Sequence, residues 1–210
     1  MRRSNTSAET DLEFHIKFLA QFIIHPTKTG AIAPSSDALS QFITDMAELE
    51  NVSSVIEFGS GTGVITEKIL ERISPDTTFF AMEINQTFVE TTKRRCPEAV
   101  VYESSATNAM KHLELHGEDG CDCIISSLPW STFSEELQDD LLKTITDVLR
   151  PGGKFLTYAY LPGLIMPTAR RFRRKLEQNF DTVKRSKTIW SNFPPAFVYH
   201  AQPKGEDKES

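Results

Sequence analysis

The fold of this protein is decided by the stretch VIEFGSGTGVIT, which runs from Val55 to Thr66. A short apolar run leads to an acid, three glycines then occupy every second position, and apolar residues at helical spacing follow. This pattern predicts a β-strand, a tight glycine turn and an α-helix. Glycine suits the turn because the backbone must bend sharply and let a ligand approach where no Cβ stands. The helix that follows offers free N–H groups and the positive end of its dipole.

Two kinds of cofactor site use such a turn, and the spacing of the glycines separates them. The dinucleotide pattern is G-x-G-x-x-G, and with Gly59 and Gly61 as its first pair the third glycine would fall on Val64. The spacing here is Glu57-x-Gly59-x-Gly61-x-Gly63 instead. It resembles the first motif of class I S-adenosylmethionine-dependent methyltransferases, in which the loop wraps the methionine part of the cofactor. A carboxylate at Glu57 has a physical reason to be there, because it can hold an ammonium group.

Length and composition bound the other possibilities. The chain has 210 residues, of which 39% are hydrophobic, as expected for one globular domain with its own core. A net charge of −6 argues against a dedicated nucleic-acid-binding protein, which usually has a basic balance. Three cysteines without a C-x-x-C pair predict a reducing compartment, and the strand-like run around Cys121 and Cys123 predicts that these two are buried thiols. We find no signal peptide and no run of the ~18–20 apolar residues that span a membrane, so we expect a cytoplasmic protein.

The order of the predicted elements extends the first unit into a doubly wound α/β fold. Strands alternate with helices five times, and two late extended stretches at 180–189 and 196–202 fit a closing antiparallel hairpin. We therefore expect a mostly parallel, seven-stranded, Rossmann-like methyltransferase sheet with N-terminal helices. The predicted division is a helical extension over residues 1–50, a methyltransferase core over 51–203 and a polar tail over 204–210.

The leading segment of the chain has two interpretations. Apolar residues recur at helical spacing from Leu12 to Ile24, and Pro26 ends the pattern. Such a helix packs on its own domain, or it lies in a membrane interface or covers an apolar substrate pocket. Ser35 and Ser36 precede a second helix and are either its caps or cofactor contacts.

Further cofactor contacts are predicted at the ends of the second and third strands. Glu83 ends the second strand 20 residues after Gly63, where a carboxylate can accept both hydroxyls of a ribose. In the methyltransferase superfamily the turn after the third strand touches the adenine, commonly through an acid, and Ser105 stands there in this chain. The predicted cofactor-binding residues are Glu57, Gly59, Ser60, Gly61, Gly63, Glu83, Ile84, Ser105 and Ala106.

The loop after the fourth strand reads SLPW from Ser127 to Trp130. It resembles the Asn-Leu-Pro-Tyr motif of adenine-N6 methyltransferases, including the rRNA dimethyltransferases. In those enzymes the asparagine and a backbone carbonyl hold an exocyclic amine while the aromatic ring stacks on a flipped base. Ser127 replaces the asparagine and lacks a carboxamide. RNA adenine-N6 methylation is therefore kept as the alternative function.

A closer resemblance covers most of the chain. The stretches GAIAPSS at 30–36, SSLPW at 126–130 and PPAFVY at 194–199 surround the glycine motif. Together they resemble the bacterial phospholipid N-methyltransferases. The resemblance implies methylation of phosphatidylethanolamine, in up to three steps, toward phosphatidylcholine. It also implies S-adenosylmethionine as donor, S-adenosylhomocysteine as product, and a leading helix that attaches to anionic membrane.

We accordingly expect a peripheral protein on the inner face of the membrane, with anionic lipids and phosphatidylethanolamine as partners. Nucleic acid and metal are not expected, and the sequence leaves the oligomeric state open. Eight basic residues between Thr168 and Thr188 stand against Glu177 and Asp181 alone. This patch can hold a lipid phosphate or an anionic surface, bind RNA phosphate, or form a solvated helix face.

Aromatic residues near the ends of the fourth and fifth strands are candidates for the acceptor amine. Their faces attract a methylated ammonium by about 0.5–2 kcal/mol, and core packing is the other interpretation. A tyrosine hydroxyl there can accept or relay the amine proton, and no histidine lies beside Ser127 in sequence to act as base. The predicted catalytic residues are Ser127, Leu128, Pro129, Trp130 and Tyr158, and the predicted substrate-binding residues are Tyr160, Arg170, Arg171, Arg174 and Tyr199.

Overall fold

The computed structural model describes residues 37–203. The helices of this part are α1 (Asp37–Ala47), α2 (Val64–Leu70), α3 (Gln86–Arg95), α4 (Ala109–Leu115), α5 (Glu135–Val148) and α6 (Pro167–Asn179). The strands are β1 (Ser54–Phe58), β2 (Thr78–Glu83), β3 (Val101–Glu103), β4 (Cys121–Ser126), β5 (Leu149–Tyr160), β6 (Thr182–Arg185) and β7 (Ala196–Gln202). The predicted leading helix, the stretch at 30–36 and the polar tail lie outside the described residues.

The strands form one mixed sheet in the order β3-β2-β1-β4-β5-β7-β6. Strands β1 to β5 are all parallel to one another, β7 is antiparallel to β5, and β6 is antiparallel to β7. The expected doubly wound, seven-stranded methyltransferase sheet is thereby confirmed. The order reverses between β1 and β4, and such a reversal opens a crevice at the carboxyl ends of the strands.

Helices cover both faces of the sheet and create two apolar layers. One layer packs α4, α5 and α6 around Phe58, Phe80 and Phe155, and the other packs α1, α2 and α3 around Ile125 and Leu156. Central parallel strands are buried on both sides, so they read as continuous apolar runs. All five residues of β1 are buried, which makes the acid Glu57 within that strand an exception that needs an explanation.

Two element boundaries differ from the sequence prediction for local reasons. Strand β5 begins at Leu149 rather than after the Pro-Gly-Gly turn, because the turn is a bulge in its pairing with β4. The helix predicted from Leu164 onward is divided into a short 3-10 helix, Leu161–Ile165, and α6. Proline at the first position of α6 suits a helix start, since its missing N–H would have no partner there.

The three cysteines are unpaired and buried, which confirms the predicted burial of Cys121 and Cys123. No helix within residues 37–203 is long and apolar enough to cross a bilayer.

Candidate active site

The glycine loop joins β1 to α2 at the carboxyl edge of the sheet. Gly59, Gly61 and Gly63 have φ angles of +80°, +54° and +80°, a region that side chains rarely adopt. A Cβ on Gly59 would lie 3.1 Å from Leu128 Cδ2, and one on Gly63 would lie 3.2 Å from the Cα of Thr92. For Gly61, no atom of the described residues lies within 4 Å of that position. The outer two glycines therefore allow close packing, whereas the central one borders open space.

Helix α3 holds this loop in place through Thr92. The Thr92 hydroxyl donates to the carbonyl of Gly61 at 3.0 Å and lies 3.1 Å from the hydroxyl of Ser60. Thr92 is buried beneath the loop. Sequence reasoning missed this residue, since a threonine inside an amphipathic helix carries no signal of its own.

Glu57 is fully buried at the base of the loop. Its Oε2 accepts a hydrogen bond of 2.6 Å from the Thr66 hydroxyl of α2, whereas its Oε1 has no partner among the described residues. Burial raises the pKa of Glu57 to about 8, and the nearby Glu83 carboxylate adds to the shift. A buried carboxylate oxygen without a partner costs free energy, so the position is suited to a cationic group.

Glu83 ends β2 and is directed at the same loop. Its Oε1 accepts from the backbone N–H groups of Ile84 and Asn85, both at 2.9 Å, and its Oε2 accepts from the N–H of Gly61 at 3.1 Å. Burial raises the pKa of Glu83 in spite of these hydrogen bonds. The structure thus brings both predicted acids to one loop. Ile84 holds the Glu83 carboxylate through its backbone N–H rather than through its side chain.

The turn after β3 is tied to the end of β2. The N–H of Ser104 donates to the carbonyl of Glu83 at 3.0 Å. The Ser105 hydroxyl caps the short 3-10 helix that follows, accepting from the N–H of Thr107 at 3.3 Å. Ala106 is buried in the core. The hydroxyl of Ser105 is therefore engaged within its own turn.

The loop after β4 lies beside the glycine loop. The N–H of Ser127 donates to the carbonyl of Phe58 at 2.8 Å, which continues the pairing of β4 with β1. The buried hydroxyl of Ser126 accepts from the N–H of Leu128 at 3.3 Å and from the indole N–H of Trp130 at 3.2 Å. Ser126, which the sequence analysis did not single out, shapes this loop.

Trp130 packs in the core and does not face an acceptor. Its ring stacks on Phe172 of α6 with centroids 4.7 Å apart and meets Phe155 edge-on at 5.8 Å. The indole N–H is bound by Ser126, and Gln138 donates to the Trp130 carbonyl at 2.6 Å. Core packing is thus the interpretation that the structure supports for Trp130, because its polar atom and one of its faces are already covered.

Tyr158 and Tyr160 are half-buried on the face of β5 that looks toward α1. Their ring centroids lie 5.7 Å apart, and a hydrogen bond joins the two side chains. Ser126 pairs with Thr157, and Tyr158, the next residue of β5, lies on the opposite face of the sheet. The structure therefore brings Tyr158 and Tyr160 together, and Ser127 follows the end of the adjacent strand β4.

Tyr199 does not join them. It pairs with Thr157 and lies on the other face of the sheet, buried edge-on against Phe172 and Phe197. Burial raises the pKa of its hydroxyl. The predicted contact of Tyr199 with the substrate is therefore not supported, because the alternation of side chains along β7 turns it into the core.

The basic residues of α6 divide into paired and unpaired groups. Arg171 pairs with Glu135, and Arg173 pairs with Glu177 at 2.9 Å. Arg170 and Arg174 are exposed, and no acid of residues 37–203 forms an ion pair with either of them. Two of the three predicted arginines are thus exposed and not engaged by any acid of the described residues, as contact with an anionic ligand requires.

The comparisons with known proteins agree with this geometry. Residues 55–153 match the family model described as a methyltransferase domain. The ornithine lipid N-methyltransferase of Singulisphaera acidiphila is 31% identical over 185 residues, which cover 87% of this chain and 92% of that protein. The chain belongs to this family of class I S-adenosylmethionine-dependent methyltransferases.

Solved structures share the fold of this methyltransferase. The O-methyltransferase TomG from Streptomyces achromogenes, in complex with SAM, has a TM-score of 0.65 at 16% identity, over 96% of this chain and 92% of that chain. A putative rRNA methylase from Clostridium thermocellum has a TM-score of 0.61 at 16% identity, over 83% and 99%. At such identities the likeness concerns the fold alone.

The residues of the methyltransferase fit S-adenosylmethionine. Among residues 37–203, Gly61 borders a space that a Cβ would fill, one buried carboxylate oxygen of Glu57 has no partner, and Glu83 faces the same loop. These features suit a ligand with an ammonium group at one end and a ribose beyond it. Within residues 37–203 no cluster of His, Cys, Asp and Glu is arranged to hold a metal ion.

Proposed function

We propose that this methyltransferase methylates the amine head group of phosphatidylethanolamine and of its methylated intermediates, toward phosphatidylcholine. The observation that carries the proposal is the 31% identity, over 87% of the chain, to a lipid N-methyltransferase. That relative supports an amine on a lipid as the acceptor. The phospholipid in particular rests on the resemblance of the stretches at 126–130 and 194–199 to phospholipid N-methyltransferases.

The cofactor is assigned to the glycine loop and its two acids. Glu57 would hold the ammonium group, Glu83 would accept the ribose hydroxyls, and the space beside Gly61 would admit the chain that joins them. When bound, S-adenosylmethionine supplies an electrophilic methyl group. Residues of this chain would bind and orient the acceptor amine and remove it from water.

The acceptor amine has to be uncharged, because an ammonium has no lone pair. Removal from water disfavours the charged form of an amine, and the half-buried tyrosines at the end of β5 provide such a setting. Burial raises the pKa of Tyr160, so its hydroxyl keeps its proton and does not act as a base. We assign to Tyr158 the role of accepting a hydrogen bond from the amine N–H and orienting its lone pair, while the proton leaves to water.

Tyr158 and Tyr160 would also have to accommodate the methylated intermediates and the final product. Each added methyl group makes the head group bulkier and more apolar, and the fully methylated product is a permanent cation. The faces of Tyr158 and Tyr160 attract such a cation by about 0.5–2 kcal/mol. This supports an acceptor site that tolerates intermediates as well as the first substrate.

We further propose peripheral attachment to the inner face of the membrane. Arg170 and Arg174 are exposed without acid partners among residues 37–203, and each basic side chain near an anionic leaflet contributes about 1 kcal/mol. The predicted leading helix from Leu12 to Ile24 would add an apolar anchor.

Labelled cofactor, offered in parallel to three acceptors, tests the proposal. The acceptors are vesicles with phosphatidylethanolamine, vesicles with ornithine lipid, and structured RNA. Label in the phosphatidylethanolamine fraction is expected, and the Gly61→Val variant serves as the blank. Label in RNA alone would overturn the proposal in favour of the adenine-N6 alternative.

Ornithine lipid is the second candidate acceptor. It is favoured by the relative from Singulisphaera acidiphila, whose name specifies that lipid. Both lipids present a primary amine at the membrane surface, so the same site chemistry serves either one. Label in ornithine lipid with none in phosphatidylethanolamine would select this candidate.

A further inference from the structure

Four large apolar side chains are exposed at one corner of the sheet, which we call the apolar corner. Their exposed fractions are 79% for Ile165, 47% for Met166, 73% for Trp190 and 71% for Phe193. They come from two segments that are distant in sequence, the 3-10 helix after β5 and the loop before β7. Single exposed apolar residues are ordinary, but a group of them commonly marks an interaction surface.

Backbone hydrogen bonds hold the two segments together. The N–H of Leu161 donates to the carbonyl of Pro195 at 2.8 Å, and Tyr160 pairs with Ala196. Within the loop, the buried Asn192 side chain donates to the carbonyl of Pro194 at 2.6 Å. The loop is thus fixed by its polar residues while Trp190 and Phe193 point outward.

Positive charge borders the apolar corner. The N–H of Arg170 donates to the carbonyl of Met166 at 3.3 Å, so Arg170 lies one helical turn from the exposed methionine. From residue 161 to 203 the chain holds eight basic residues and only two acids, Glu177 and Asp181. Tryptophan and other apolar side chains beside lysine and arginine are the combination found at the interface of anionic membranes.

We infer that the apolar corner is the surface by which this protein inserts into the head-group region of an anionic bilayer. The inference rests on the proposed lipid acceptor and adds the orientation of the protein on the membrane. The corner extends from the carboxyl end of β5, at the edge of the sheet that also holds Ser127 and the glycine loop. Docking there turns the acceptor site toward the bilayer, so that a lipid amine reaches it with its acyl chains still in the membrane.

Charge favours a membrane over the other possible occupants. The predicted leading helix or a second copy of the chain would also cover the apolar side chains, but neither accounts for the segment from residue 161 to 203, which combines an exposed tryptophan with eight basic residues and only two acids. These occupants are therefore outcomes that the experiment has to separate.

Tryptophan fluorescence of the full chain reads the apolar corner directly. The chain has two tryptophans, of which Trp130 is buried and Trp190 is exposed. Vesicles of phosphatidylcholine with phosphatidylglycerol should shift the emission to the blue, and brominated acyl chains should quench it. The Trp190→Phe variant should lose both signals. Emission of Trp190 that is already blue and shielded from acrylamide before vesicles are added would contradict the inference, because protein would then cover the corner.

A matched pair of variants tests the consequence for binding. The double variant Trp190→Ser with Phe193→Ser removes two exposed aromatic rings, and Leu115→Ser removes an apolar side chain that is 67% exposed at the end of α4. The double variant should partition at least about tenfold less into these vesicles, whereas the control should partition as the wild type does. Methyl transfer to vesicle lipid should fall with partitioning, and transfer to a water-soluble short-chain aminolipid should not change.

The two assays keep failures of the inference and of the proposed function apart. If the double variant partitions and transfers methyl groups as the wild type does, the inference that the apolar corner binds membrane is wrong. The proposal of a lipid acceptor is not affected by that result. Absence of transfer by the wild type to both forms of lipid would remove the proposed function, and vesicle partitioning alone would then decide whether the corner binds membrane.

Discussion

The two halves of the sheet present their candidate ligand-binding residues in different ways. The cofactor half, residues 54–106, concentrates its candidate residues in one loop and two strand ends, where backbone N–H groups hold the Glu83 carboxylate. The acceptor half, residues 121–203, spreads its candidates over β4, β5, α6 and the loop before β7. A short motif therefore locates the first site, whereas the second depends on which face of an element each side chain occupies.

The halves also differ in the charge that each leaves without a partner. The cofactor half buries Glu57 with an unpaired carboxylate oxygen, and the acceptor half exposes Arg170 and Arg174 with no acid partner in residues 37–203. Once ionised, Glu57 suits a cationic ligand, whereas the two arginines suit an anionic one. This difference guides the following predictions.

The largest effect is expected at the glycine loop. Gly61→Val should weaken cofactor binding by more than about a hundredfold, because a side chain would fill the space beside Gly61. Gly117→Val is the matched control, since Gly117 also has a positive φ angle and open space around it, but lies after α4. Both variants should lose about 1–2 kcal/mol of stability from the left-handed backbone.

Titration calorimetry and thermal unfolding separate the two effects. Only the Gly61 variant should lose cofactor affinity. Equal affinity in the two variants would show that the open space at Gly61 is not where the cofactor lies.

In the acceptor half, Tyr158 and Trp130 should respond differently. Tyr158→Phe should lower kcat by about a hundredfold at unchanged cofactor affinity, because the hydroxyl that orients the amine is lost. Trp130→Phe should leave KM for the acceptor unchanged and lower the free energy of unfolding by about 1–3 kcal/mol, through lost packing and a lost hydrogen bond to Ser126.

Steady-state kinetics on short-chain lipid and chemical denaturation check this pair. A raised KM for the acceptor in Trp130→Phe, with an unchanged free energy of unfolding, would indicate that Trp130 contacts the acceptor. That result would contradict its assignment to the core.

Ion pairing predicts which arginines attract lipid. Arg170→Gln with Arg174→Gln should weaken binding to anionic vesicles by about 2 kcal/mol in total, since both side chains lack acid partners in residues 37–203. Arg171→Gln with Arg173→Gln removes the same charge from residues that pair with Glu135 and Glu177, and its effect should be smaller. Vesicle sedimentation at low and high salt measures both. Equal losses would mean that net charge alone matters.

The free energy of unfolding should depend on pH through Glu57, the buried acid of the cofactor half. The pKa of Glu57 is about 8 in the folded protein against an ordinary value of 4.5, so the folded state keeps a proton that the unfolded state releases. The contribution of Glu57 to stability is thus full below its ordinary pKa and is lost as pH rises toward 8, by at most about 1.4 kcal/mol per pH unit. Glu57→Gln should flatten this part of the curve.

Cofactor affinity should also depend on the ionisation of Glu57, but it should increase with pH where stability decreases. An ammonium held at Glu57 favours the ionised carboxylate, so binding should release a proton and tighten as pH rises toward 8. Calorimetry in buffers of different ionisation enthalpy measures that proton. Binding without proton release would indicate that the ammonium group lies elsewhere.

The sequence by itself determined the doubly wound sheet, its closing hairpin and the position of the cofactor loop. Glycine spacing and strand patterning are local properties, and the acids Glu57 and Glu83 lie at fixed distances along the chain from that loop. Parallel strands then bring their carboxyl ends to one edge whatever the details of packing.

Tertiary structure alone decided the roles of the aromatic and basic residues. Trp130 and Tyr199 turn into the core while Tyr158 and Tyr160 share the other face. Arg171 pairs with Glu135, whereas Arg170 has no acid partner between residues 37 and 203. The contacts of Thr92 and Ser126 with their loops likewise appear only in the fold. These outcomes depend on which distant segments come into contact. The type of a residue does not by itself indicate which residues surround it in the folded protein.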